Sequence, residues 1–341
     1  MTITLTKARS TPRSDRSKYL FIRVQEACNA DCFFCEFALS KDPYRFPPTQ
    51  MEQVASEARD QGVGVIRFTG GEPLMHPQVL DLVRACSAQG HEVSMITNGV
   101  ALARYADELV EAGLSQVIIS LDSPDPDTHN TYRRTPKLFE KAVEGAAALD
   151  GRVLVRVNTV VGPHNYADMV RMQQMLEGLG VTQWELSPIK LARPVRYPDP
   201  AHVIETCSSI YDDSRPGALV PMGEPFYGAT PGEQEAYFET GQVPRPNGAV
   251  CHVTDDVRFL DPKNGQLYAC SLLPHRDPTG IESGDAGGAD GGVISLGTPS
   301  FRRHQEHFRD RGPQVCQGCS TTAAGYSNTV DAHGGVELWS Y

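Results

Sequence analysis

The chain has 341 residues, 40% of them hydrophobic, and its 31 basic and 42 acidic side chains leave a net charge of −11. That length supports a buried core in one or two domains. The acidic balance argues against phosphate-backbone binding as the main task, so no nucleic-acid partner is expected, and no apolar run approaches the ~18 residues of a membrane-spanning helix.

Residues 1–18 are short, polar and basic, without the apolar stretch of a secretory signal, and read as a disordered tail. A cytoplasmic location and no membrane partner are the expectation. Nine cysteines in such a chain are poor candidates for disulfides, because the cytosol keeps thiols reduced. Metal or redox chemistry is the better reading.

From residue 19 to 190 strand-like and helix-like patterns alternate. Strands are predicted at 19–24, 63–69, 92–97, 116–122, 153–161 and 183–188, mostly as continuous Val- and Ile-rich runs of the kind that parallel strands covered on both faces require. Helices are predicted at 49–61, 77–89, 101–112, 128–149 and 165–179, several with glycine at the C-terminal end. Alternation of this kind makes a parallel sheet with right-handed crossovers, either closed partway into a barrel or open and doubly wound. Ligands sit at the C-terminal strand ends in both cases.

The informative residues fall at those ends. Cys28, Cys32 and Cys35 follow the first strand within eight residues; Gly70-Gly71-Glu72-Pro73 follows the second; Thr97 and Asn98 follow the third; Ser120 and Asp122 end the fourth; Asn158 lies in the fifth; Ser187 and Lys190 end the sixth. Three thiolates on one tight loop suit a cubane iron–sulfur cluster with one iron left open for a small molecule, whereas structural zinc takes four ligands in paired Cys-x-x-Cys units. For Asp122 and Ser123, a turn or helix-cap role competes with a ligand role.

Composition changes after Lys190. Residues 191–250 read as a proline-rich linker, a short helix over 202–211 and an extended loop over 212–250. A hairpin is predicted with arms at 257–260 and 266–270 around an Asn264-Gly265 turn. Residues 277–292 are rich in Gly and Asp and read as a surface loop, and 301–311 as a helix. Cys251, Cys270, Cys316 and Cys319 form a looser quartet that suits zinc or a fully ligated iron–sulfur cluster. Cys86 lies on a helical apolar stripe and reads as core; Cys207 reads as packing. Lys190 and Arg193 are candidates to bind an anionic substrate or to accept a hydroxyl proton. Arg196 reads as a solvated linker charge, and Tyr19, Trp184 and Tyr197 read as packing.

The spacing Cys28-x-x-x-Cys32-x-Phe34-Cys35, with Gly70-Gly71-Glu72-Pro73 after the next strand, resembles the paired motifs of the radical S-adenosylmethionine (SAM) enzymes. The resemblance covers 19–190 and implies a partial (β/α)6 TIM-like barrel holding one 4Fe–4S cluster and SAM. It implies SAM contacts for Phe34, Gly70, Gly71, Glu72, Thr97, Asn98, Ser120, Asp122 and Asn158. The arginine that meets the SAM carboxylate would be Arg133 or Arg134, with Arg133 favoured. The quartet over 251–341 resembles the twitch form of the SPASM domain, a small α+β unit containing a hairpin, which implies one auxiliary 4Fe–4S cluster.

Its spacing is similar to that of aminocyclitol dehydrogenases acting on 2-deoxy-scyllo-inosamine. That resemblance implies oxidation of a secondary alcohol to a ketone, with an electron passed to the auxiliary cluster. The expected partners are a small polar, carbohydrate-like substrate and an external one-electron reductant such as flavodoxin or ferredoxin. A redox-neutral lyase or epimerase, a peptide maturase and a non-catalytic zinc protein are the alternatives. The oligomeric state stays open.

Overall fold

The computed structural model describes residues 18–189, 195–211, 219–222, 225–243, 256–263, 265–268, 283–285 and 296. Six parallel strands follow one another across a sheet: β1 (Lys18–Gln25), β2 (Val63–Gly70), β3 (Glu92–Thr97), β4 (Leu114–Ser120), β5 (Leu154–Val161) and β6 (Gln183–Pro188). The crossovers are α1 (Pro48–Asp60), α2 (Val79–Ala88), α3 (Leu102–Ala112), the pair α4 (Pro126–Tyr132) and α5 (Leu138–Leu149), and α6 (Met169–Gly178). A strand order that never reverses, with right-handed connections throughout, puts every helix on one side and curls the sheet. The curl is visible in a cavity lined from all six strands. The partial barrel expected from the sequence is therefore the observed one, and a doubly wound sheet is excluded.

Outward-facing side chains such as Leu20, Ile22, Ile66, Val117 and Val157 pack with the helices into one buried cluster. The inner face differs from the sequence expectation of apolar cover on both sides. Arg67, Ser94, Gln116, Arg156 and Gln183 point inward at alternate positions and are joined in part by hydrogen bonds, including Arg67 Nε to Ser94 at 3.0 Å and Gln116 Nε2 to Gln183 at 3.0 Å. A curled sheet encloses a lumen, so inward positions need partners rather than oil.

Beyond the barrel, α7 (Pro200–Ser208) matches the predicted short helix, and β7 (Val220–Pro221) adds to the β6 edge. The loop predicted over 212–250 is corrected by α8 (Pro231–Thr240). Its Thr230-Pro-Gly-Glu233 start forms a capping box that satisfies otherwise orphaned backbone donors. The predicted hairpin is present as β8 (Val257–Asp261) and β9 (Gln266–Tyr268). β8 also pairs in parallel with β1, Tyr19 opposite Val257 and Ile22 opposite Leu260, so the hairpin continues the barrel sheet. Within the stretch predicted as loop over 277–292, β10 (Ser283–Asp285) pairs antiparallel with β9. The predicted helix at 301–311 lies outside the described residues.

Candidate active site

The cysteine loop leaves β1 at Gln25 and returns along it. Phe46 N donates to Val24 O at 2.8 Å, Cys28 N to Ser40 O at 3.0 Å and Leu39 N to Ala30 O at 2.9 Å, so the three thiols sit on a pinned lobe. Cys32 is buried, Cys28 half-buried and Cys35 exposed. Desolvation raises all three thiols, Cys28 to about 11. For Cys32 and Cys35 the Arg133 guanidinium works in the opposite direction.

The glycines after β2 are fixed by that lobe. Gly71 N donates to Gln25 O at 3.0 Å and Glu72 N to Ala27 O at 2.9 Å. Gly70 has φ +135°, and a Cβ there would collide with the Gln25 carbonyl; at Gly71 it would collide with the carbonyls of Glu26 and Ala27. Their small size thus serves the approach of two protein loops.

Glu72 is 1% exposed, and its carboxylate accepts from Leu74 N at 3.0 Å, Thr97 Oγ1 at 2.7 Å and Asn98 N at 2.7 Å. Burial raises its pKa while these donors oppose the rise. Thr97 Oγ1 also accepts from Gly99 N at 3.0 Å. Asn98 Nδ2 donates to Asn29 Oδ1 at 2.8 Å. Glu72, Thr97 and Asn98 therefore clamp the loops after β2 and β3 to the cysteine loop.

Asp122 and Arg133 form a buried bidentate pair: Nε to Oδ2 at 2.7 Å and Nη2 to Oδ1 at 3.1 Å. Val160 N also donates to Asp122, at 2.9 Å. Burial alone would raise the Asp122 pKa; Arg133, His129 and the Val160 N–H together outweigh it and hold the carboxyl below the usual range. Burial likewise works to lower Arg133, and Asp122 together with the Cys32 and Cys35 thiols outweighs it and raises it. The guanidinium lies 5.5 Å from the Phe34 ring centroid, and its Nη1 is 3.9 Å from Cys32 Sγ. Arg134 is exposed, with φ +46°, and faces Phe33 instead. The buried cation beside the thiols is thus Arg133. Ser123 is a turn former, accepting from Asp125 N at 3.1 Å.

Ser120 and Asn158 are paired in register on β4 and β5. Ser187 Oγ reaches Asn158 Oδ1 at 3.5 Å and Glu185 Oε1 at 3.4 Å, giving a polar group inside the barrel below the cysteine loop. Sequence reasoning passed over Glu185; its signal was a lone acid in the strand Gln-Trp-Glu-Leu-Ser-Pro. It also missed Asn29 and Thr135, which holds Asp31 N at 3.2 Å. Cys86 and Cys207 are buried in the core as expected, and Trp184 and Tyr197 pack there too. Lys190, Arg193, Cys251, Cys270, Cys316 and Cys319 lie outside the described residues.

The donor set fits an iron–sulfur cluster. Three thiols raised by burial need a strong positive partner to ionise, and metal ligation supplies one. Among the described residues no three Cys, His, Asp or Glu side chains converge on a single ion position. Ligands to separate irons of one cluster need no such point.

Residues 22–176 match the model of the Radical SAM superfamily. The chain carries a radical SAM domain there, and such a domain implies a 4Fe–4S cluster and SAM. One relative is the probable GTP 3′,8-cyclase of Saccharolobus solfataricus, 34% identical over 181 residues, which are 51% of this chain and 58% of that protein. Another is the AdoMet-dependent heme synthase of Nitratidesulfovibrio vulgaris, 27% identical over 177 residues, 51% of this chain and 48% of that protein. The chain spans about half the length of the curated relatives it matches. Among solved structures, SuiB of Streptococcus suis bound to SAM superposes with TM-score 0.63 at 15% identity, over 93% of this chain and 74% of that one. Native anSMEcpe with bound AdoMet gives 0.59 at 13%, over 92% and 96%. At those identities the likeness establishes the fold. Among the described residues no helix is long and apolar enough to cross a membrane.

Proposed function

We propose that this chain is a radical SAM oxidoreductase that oxidises a secondary alcohol of a small, polyhydroxylated, carbohydrate-like substrate to a ketone. The observation that carries the reading is the pinned Cys28–Cys32–Cys35 lobe, clamped by Glu72 and flanked by Arg133, at the C-terminal ends of parallel strands. When cluster and SAM are bound and an external flavodoxin or ferredoxin delivers an electron, they supply a 5′-deoxyadenosyl radical that abstracts a carbon-bound hydrogen.

In this scheme Cys28, Cys32 and Cys35 hold the cluster, and Arg133 offers a fixed positive charge to the SAM carboxylate. Ser120, Asn158, Glu185 and Ser187 supply hydrogen-bond partners for substrate hydroxyls from the inner face. Lys190 or Arg193 is the candidate proton acceptor. Loss of one hydrogen atom, one proton and one electron from the alcohol carbon and its hydroxyl gives the ketone. The quartet Cys251, Cys270, Cys316 and Cys319 is proposed to hold the auxiliary cluster that takes the electron.

The relatives named as GTP 3′,8-cyclases support a second reading, a redox-neutral reaction on a sugar or nucleoside that shares the first hydrogen abstraction. Anaerobic incubation of reconstituted protein with SAM, reductant and a panel of aminocyclitols, sugars and nucleotides separates them. Substrate-dependent 5′-deoxyadenosine with a product lighter by two hydrogens is expected; a product of unchanged mass, or one lighter by water, selects the second reading. Replacing Cys32 by Ala should abolish 5′-deoxyadenosine formation and about half of an iron content near eight per chain. Iron that stays bound and cleavage that persists in that variant would sink both readings.

A further inference from the structure

Each thiol of the cysteine lobe meets one N–H donor, and the three donors are not alike. Ala30 N approaches Cys28 Sγ at 3.5 Å, and the Phe37 backbone N–H hydrogen-bonds the Cys35 thiol. Arg133 Nη1 lies 3.9 Å from Cys32 Sγ. Cys28 and Cys35 thus face backbone dipoles, whereas Cys32 faces a full positive charge.

That charge is fixed in place from two sides. Asp122 takes Nε and Nη2, at 2.7 and 3.1 Å, and is itself held by Val160 N at 2.9 Å. This grip on one edge of the planar fork leaves Nη1 turned to the sulfur. The turn that follows is tied to the cysteine lobe: Thr135 Oγ1 donates to Arg133 O at 2.8 Å and accepts from Asp31 N at 3.2 Å. A guanidinium stays protonated at any ordinary pH. Arg133 is buried, so neither water nor salt screens it well.

We infer that Arg133, acting through Cys32, raises the reduction potential of the cluster held by Cys28, Cys32 and Cys35. The inference rests on reading that triplet as cluster ligands, and it gives Arg133 a duty separate from holding the SAM carboxylate. Reduction adds one electron, supplied by the external one-electron carrier, and so one negative charge beside a fixed positive one. Charge and hydrogen bonds at the ligand sulfurs are among the factors that set such potentials. Asp122, on the other edge of the guanidinium, opposes the effect from farther away. The two halves of one ion pair therefore act on the cluster with opposite signs.

The test is a redox titration of the reconstituted full chain, followed by electron paramagnetic resonance and run without SAM, so that the carboxylate contact contributes nothing. The signal followed is the one that Cys32→Ala removes; a signal from any other cluster is the internal reference. Arg133→Gln should lower the midpoint by ~59 mV or more, a tenfold drop in the reduced-to-oxidised ratio at fixed potential. Arg133→Lys, which keeps the charge, should recover most of that, and Asp122→Asn should raise the midpoint. Water admitted by a loosened site would stabilise the added charge and push the potential up, so the sign separates lost charge from lost packing. A midpoint that stays or rises in Arg133→Gln, with iron content as in wild type, overturns the inference. If that variant fails to fold or to hold iron, Asp122→Asn decides alone, and a midpoint that does not rise there overturns it equally. SAM affinity that falls in Arg133→Gln while the potential holds removes this inference and leaves the proposed function standing; a wild-type chain that forms no such cluster removes both.

Discussion

Asp122 shows how much one side chain can organise. It ties Arg133 to the strand end, takes Val160 N, and through its own backbone N–H reaches His129 Nδ1 at 3.1 Å. His129 is fully buried, and burial, reinforced by Arg133 and opposed by Asp122, lowers it to about 4. Folded protein therefore keeps this imidazole neutral down to about pH 4, while the unfolded chain protonates it near the ordinary ~6.5. Between those values the unfolded state binds more protons, so this group removes stability as the pH falls, at most ~1.4 kcal/mol per unit. Melting temperatures of wild type and His129→Gln, measured at pH 7.5 and pH 5, should show the wild-type advantage shrinking at pH 5. An advantage that is constant or grows would contradict a neutral, buried His129.

Helix α8 carries the corresponding argument for elements. Its apolar residues form no stripe, and Tyr237 is its one buried side chain, so periodicity gave no signal. What starts it is chemistry at the cap: Glu233 N donates to Thr230 Oγ1 at 3.3 Å and Thr230 N to Glu233 Oε2 at 2.9 Å. Thr230→Ala should cost ~1 kcal/mol in denaturant unfolding, and Thr230→Asn much less. Equal loss in both would mean that the cap does not set the helix. The Thr-x-x-Glu signature was readable beforehand; it was hidden by the Pro and Gly around it.

The predicted single helix at 128–149 failed for a related reason. Arg134 and Lys137 take positive φ around Pro136, which breaks the run into α4 and α5 and leaves Arg133 as the helix end. Strands β3 and β6 matched their predicted bounds because apolar runs flanked by turns carry that information locally. The inward polarity of Arg67 and Arg156 did not come through, because the eye reads a Val- and Ile-rich run before its alternation. At the site, cysteine spacing and the Gly-Gly-Glu-Pro turn were legible as motifs. Arg133 was favoured over Arg134 only through the family resemblance, since adjacent residues at a helix end differ only in which one tertiary packing buries, and here that is Arg133.

At the scale of the molecule, the sheet joins what the sequence divides. β8 covers the outer edge of β1, and three charged contacts fasten it beside the cysteine loop. Arg23 Nη1 meets Asp261 at 2.8 Å, and Lys263 meets Glu26 and Asp42 at 2.6 Å each. Arg23 and Asp261 are buried, so that pair tolerates the loss of one partner poorly, whereas Lys263 is part-exposed and contributes less. Removing everything after residue 250 would bare the hydrogen-bonding edge of β1 along Tyr19–Ile22, the stretch that now pairs with Val257–Leu260. Uncovered apolar edge strands recruit other edges. The truncated chain should therefore self-associate in size-exclusion chromatography with light scattering and melt lower than the full chain, while full-length Lys263→Met should behave as wild type. A truncated chain that matches the full chain in both association state and melting temperature would show that the barrel closes its own edge, and that the hairpin is appended rather than structural.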